Sequence, residues 1–125
     1  MKTQFHGHDH SISLEEAKKM IRKFKAEKDS IVRKEHNGKH LIPNCESFDR
    51  AGFDAILRRE DCKGIRIYYG MKEDGYHVHA IIVGFDADGK DILTNGQLTD
   101  STDAQILDKG LPCPEYCPDS SDLNP

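Results

Sequence analysis

Apolar residues Leu14, Ala17, Ile21, Phe24 and Ile31 recur at helical spacing, with Met20 widening the stripe and Lys28 its only polar interruption. That period predicts an amphipathic helix. Ser13 before the stripe and Glu16 three residues on make a capping box, and Glu15 places negative charge near the positive helix end. The pattern carries the helix at least to Lys28 and at most to Glu35, before an Asn37-Gly38 stop. His40-Leu41-Ile42-Pro43 is short and ends in proline, so it predicts at most a brief edge strand or an extended connection. Ser47 offers a second cap, and Phe48, Gly52 and Ile56, flanked by Phe53 and Leu57, predict a second helix over 48–59.

The pattern then changes period. Ile65-Arg66-Ile67-Tyr68-Tyr69 and Tyr76 to Phe85 are rich in β-branched and aromatic residues, and Asp74-Gly75 between them suits a two-residue hairpin turn. With that turn, Met71 faces Val78, Tyr69 faces Ala80 and Ile67 faces Ile82, so Ile65, Ile67, Tyr69, Met71, Val78, Ala80 and Ile82 share an apolar face that should meet the helices. The opposite face carries Arg66, Tyr68, Lys72, His77, His79, Ile81 and Val83. After a second turn at Asp86–Gly89, Lys90–Leu93 predicts a third strand, with Ala80–Val83 central because it is apolar on both faces.

The expected fold is α+β: two N-terminal helices packed on a three-stranded antiparallel meander, followed by a mostly irregular C-terminal tail. Residues 1–12, with His6, His8 and His10, read as a mobile arm; 13–94 as one domain; and 95–125 as an acidic tail containing proline and cysteine. A chain of 125 residues fits one core of modest size.

Charge narrows the functional classes. Residues 14–36 hold eight Lys/Arg against five Asp/Glu, whereas 86–125 hold two against nine, within a net charge of −4. The basic stretch is interrupted by Glu15, Glu16, Glu27, Asp29 and Glu35, which argues against a nucleic-acid partner. The longest apolar run, Ala80–Val83, is far short of a membrane helix, and residues 1–6 hold no secretory core, so no membrane partner and a cytoplasmic location are expected.

His77 and His79, two apart on a predicted strand, suit a pair of metal ligands, and Cys113 with Cys117 would complete a zinc site if the tail folded back. The cysteine spacing, with three residues between them rather than the commoner two, weighs against this. A local Cys113–Cys117 disulfide is an equal alternative, while redox catalysis lacks a cation or helix terminus to activate a thiol. Cys45 and Cys62 read as small buried residues. Arg66 and Tyr68 beside His77 and His79 would offer an anion fork and a proton shuttle, although packing against the tail or a second subunit is the simpler use of that face. No nucleotide-binding, zinc-protease or serine-hydrolase motif occurs in the chain.

The block Cys62-Lys-Gly-Ile-Arg-Ile-Tyr-Tyr-Gly70, with Ile82–Ile92 and a Cys-Pro-x-x-Cys-Pro-like tail, resembles a group of small uncharacterised bacterial proteins over residues 13–117. The resemblance implies an α+β domain accompanied by the cysteine-proline tail, and assigns no activity to any residue. The expectation from sequence is therefore a non-enzymatic binding or interaction module with a protein partner or a second copy of itself and no required cofactor. A zinc protein using His77, His79, Cys113 and Cys117 is the alternative, and an enzyme built on Arg66, Tyr68 and His79 the third reading.

Overall fold

A computed structural model describes residues 7–73, 75–93 and 106–125. Among the described residues the protein is α+β, with two α-helices and antiparallel sheets. The chain forms two compact units: Met1–Asp9, Phe48–Gly70 and Ala80–Gly110 in the first, His10–Ser47, Met71–His79 and Leu111–Pro125 in the second. Among the described residues no helix is long and apolar enough to cross a membrane.

The first unit contains α2 (Arg50–Leu57) and most of a three-stranded sheet ordered β2 (Gly64–Met71), β3 (Val78–Phe85), β4 (Asp91–Ile92). Gly84 and Phe85 of β3 face Ile92 and Asp91 of β4. Its core is Ile56, Ile82, Val83, Phe85 and Ile92. Ile56 of α2 reaches the sheet at Gly84, where an added Cβ would lie 2.9 Å from Ile56 Cγ2 and 3.1 Å from Cys62 Sγ. Only a residue without a side chain lets the helix sit this close.

α2 begins two residues later than the pattern predicts, with Asp49 at the N-cap position and no capping bond from its side chain, because Ser47 is taken up by a strand. With eight residues it is too short to cover the whole apolar face of the sheet. Ile67, Tyr69 and Met71, expected to meet the helices, remain exposed, whereas Val83 on the opposite face is buried. The third strand is confined to Asp91–Ile92. The predicted turn rests on Asp74, which lies outside the described residues. β2 and β3 end at Met71 and Val78, so His77 precedes the strand rather than lying on it.

The second unit contains α1 (Leu14–Glu27) and a two-stranded sheet of β1 (Cys45–Ser47) with β5 (Leu111–Cys113). The Glu16 amide donates to Ser13 Oγ at 3.0 Å, the capping bond the sequence predicts. The helix stops at Glu27 and continues only as short 3-10 turns at Lys28–Ile31 and Lys34–His36. Lys28, the polar gap in the stripe, explains the break. Its side chain turns inward, 7% exposed, and Nζ donates to the Ile42 carbonyl at 3.1 Å and Asn44 Oδ1 at 2.8 Å, with His40 Nδ1 at 3.1 Å. Removing this ammonium from water lowers its pKa below 10.5, nearby Asp29 opposes the fall, and Lys25 adds to it.

Of the segment expected to be a tail, the described residues Leu107 and Leu111–Cys113 are paired into the first and the second unit respectively. Leu107 exchanges both backbone hydrogen bonds with Ile82, at 2.7 and 3.0 Å, and its side chain lies where a Cβ on Gly52 would sit. Leu111–Cys113 pairs antiparallel with Cys45–Ser47, with Cys45 opposite Cys113, Glu46 opposite Pro112 and Ser47 opposite Leu111. Such pairings, 25 residues apart for Leu107 with Ile82 and more than sixty for β1 with β5, leave no local periodicity to read. Residues 7–12 are exposed and form no regular element, while 1–6 of the expected arm lie outside the described residues.

Candidate functional site

Of the four residues predicted to share one binding face, the structure brings Arg66 and Tyr68 together and places His77 and His79 in the other unit. Arg66 and Tyr68 project from one face of β2 onto Asp91 of β4, the guanidinium to Oδ1 and the phenol to Oδ2. Arg66 Nη1 also donates to the Gly89 carbonyl at 3.0 Å, and its guanidinium carbon lies 4.9 Å from the centre of the Phe85 ring. Arg66 thus ties β2 to the β3–β4 turn across the central strand. The Tyr68 hydroxyl, seconded by the Arg66 guanidinium, holds the Asp91 carboxyl below the usual carboxylate range, against the pull of partial burial. The same bond raises the Tyr68 phenol above 10.0. This is a three-residue clamp, and Asp91 is the member that sequence reasoning missed; its place opposite Phe85 depends on the unforeseen register of a two-residue strand.

His77 and His79 lie in a cleft of about 440 Å³ in the second unit, lined also by Lys39, His40, Pro43, Pro112, Glu115 and Tyr116. Three features position these groups. Val78, between the two histidines, donates its amide to the Leu41 carbonyl at 2.7 Å, fixing that segment beside the residues that follow His40. His79 Nδ1 lies 3.7 Å from Glu46 Oε2, whose side chain is 9% exposed. His40 has positive φ of 53°, and its Nδ1 faces the Lys28 ammonium. A nitrogen facing an ammonium acts as acceptor, which puts the proton of neutral His40 on Nε2.

Part of the lining comes from the loop closed by the Cys113–Cys117 disulfide, four residues apart. Of the two expectations for this pair, ligation and cross-linking, the structure contains the cross-link, and in that state neither sulfur presents a thiolate to a metal. Among the described residues, no three His, Cys, Asp or Glu side chains are grouped so as to hold a metal ion. Cys45, expected to be buried, is exposed, while Cys62 is half-buried and its thiol donates to the Gly64 carbonyl at 3.3 Å. His40 and Lys28 have no motif to mark them; the one available signal was a lysine on the apolar stripe of a helix.

Comparison of the chain with protein-family models, with curated proteins and with solved structures finds no match. The assignment of function therefore rests on the chemistry of the site.

Proposed function

We propose that the protein is a non-enzymatic binding module whose ligand site is the His77/His79 cleft, taking a small organic anion. The observation that carries this reading is the lining of that cleft. Lys39, His40, His77, His79 and Tyr116 supply cationic or hydrogen-bond-donating groups, Pro43, Pro112 and Pro114 supply apolar walls, and Glu115 is the one acidic residue among the lining side chains. A concave site with a few convergent donors on apolar walls is the usual form of a small-ligand pocket. The engagement of Arg66 and Tyr68 with Asp91 favours binding over catalysis, because it turns the proposed anion fork and acid toward a partner within the chain.

Heteronuclear NMR titration with succinate and, separately, inorganic phosphate tests the proposal. The expected result is saturable shifts of the Lys39, His77 and His79 amides, weakened at least about tenfold by His77→Ala, which corresponds to about 1.4 kcal/mol. Amides that do not move with either anion would overturn it. Self-association is the second part of the reading, with exposed Tyr68 as the apolar member of the Arg66 face; a monomer by sedimentation at all concentrations would remove it.

Zinc binding by His77, His79, Cys113 and Cys117 is a second reading, favoured by the position of Pro112, Pro114 and Tyr116 in the same cleft as both histidines. It requires an open disulfide. Stoichiometric zinc in chain reduced and then dialysed without chelator would support it, and metal-free chain after that treatment would remove it. The proposed location is the cytoplasm, where disulfides that do form are usually transient and redox-active.

A further inference from the structure

β1 and β5 bring a third cysteine to the disulfide. Cys45 stands directly opposite Cys113 in the antiparallel ladder, and the Asn44 amide donates to the Cys113 carbonyl at 2.8 Å, which holds the strands together at this rung. Directly opposed residues have Cα atoms about 4.5–5.5 Å apart, within the roughly 4.4–6.8 Å a disulfide spans. Their side chains leave the same face of the pair. Cys45 is a free, exposed thiol; Cys113 is 1% exposed; Cys117 is exposed. Burial shields Cys113 from attack by external thiols, whereas its neighbour across the ladder needs no approach from solvent.

We propose that Cys45, Cys113 and Cys117 form a thiol–disulfide exchange site whose external substrate is a small disulfide of the glutathione class. In the internal step, the Cys45 thiolate attacks Cys113 Sγ, the Cys45–Cys113 bond forms, the Cys113–Cys117 bond breaks, and the electron pair leaves on Cys117 as thiolate. Nothing is oxidised or reduced overall, so the step needs no co-reactant. The chain's exposed thiol moves from Cys45 to Cys117, on the loop that walls the His77/His79 cleft. In the external step, the Cys117 thiolate attacks the small disulfide, forming a mixed disulfide at Cys117 and releasing one small thiolate. The inference stands independently of what the cleft binds.

The test uses the full, non-reduced chain incubated at pH 8 with oxidised glutathione, quenched in acid, blocked with N-ethylmaleimide and cleaved after Lys, Arg and Glu. Cleavage after Glu115 separates Cys113 from Cys117, and Cys45 and Cys62 fall on further separate peptides. The expected products are a linked Cys45–Cys113 peptide pair and glutathione on Cys117, forming at a rate independent of protein concentration. Cys45→Ser should abolish both, and Cys62→Ser should change neither. Cys117→Ser should close a Cys45–Cys113 bond in the same buffer. The proposal is overturned if glutathione is found on Cys45 while Cys117 stays in its original disulfide, if exchange scales with protein concentration, or if Cys117→Ser yields only mixed disulfides.

Discussion

Replacing Lys28 with methionine keeps most of the side-chain volume and removes the ammonium. At neutral pH the variant loses the donor to the Ile42 carbonyl and Asn44 Oδ1, at 3.1 and 2.8 Å, and the partner of His40 Nδ1. A buried acceptor left unmatched costs about 1–3 kcal/mol. Ile42 and Asn44 are only half-buried, so water can reach them and the lower end applies to each. Against that stands the relief of no longer desolvating a charge, the largest cause of the lowered Lys28 pKa. A net loss of about 1–2 kcal/mol is expected from urea unfolding at pH 7. The sign with pH follows from linkage. Because the native pKa lies below the unfolded value of 10.5, the unfolded chain binds more protons between them, so this group makes stability rise with pH through that window. The gap between wild type and Lys28→Met should therefore widen as pH rises toward the unfolded value of 10.5. A variant as stable as wild type at pH 7, or a gap that is constant or shrinks with pH, would refute the reasoning.

Two further perturbations probe the first unit. Asp91→Asn unties Arg66 and Tyr68 together and should cost about 1–2 kcal/mol at pH 7, a charge-assisted bond discounted for partial exposure. The lowered Asp91 pKa makes that contribution full above the ordinary carboxylate value and lost as pH falls through the native one, so urea midpoints of the two proteins should converge in acid. Gly84→Ala drives a methyl group against Ile56 and Cys62 and should destabilise by about 1–3 kcal/mol, with a midpoint shift partly recovered by Ile56→Val.

Local chemistry in the sequence identified the α1 cap, both helices and the two long strands, because Ser13, the apolar period after it and the β-branched runs act within a few residues of themselves. What escaped depends on distant pairing. Ser47 has every property of an N-cap but belongs to β1 because Leu111 stands opposite it. Leu107 looks like one apolar residue in an acidic tail until its pairing with Ile82 is known. The same limit applies to the site: spacing could relate His77 to His79 and Cys113 to Cys117, but neither Asp91 to Tyr68 nor Cys45 to Cys113, which lie far apart in the chain. Lys28 is the intermediate case. Its position on an apolar stripe was visible, but the acceptors that make burial tolerable, His40, Ile42 and Asn44, were not.

If the His77/His79 cleft is the ligand site, succinate soaked into crystals of the chain should be seen there. The expected density is an ordered dicarboxylate within hydrogen-bond distance of at least two of Lys39, His40, His77, His79 and Tyr116. An empty cleft, with succinate instead against Lys18, Arg22 and Lys25 of α1, the basic residues lining a cleft of about 250 Å³, would contradict it.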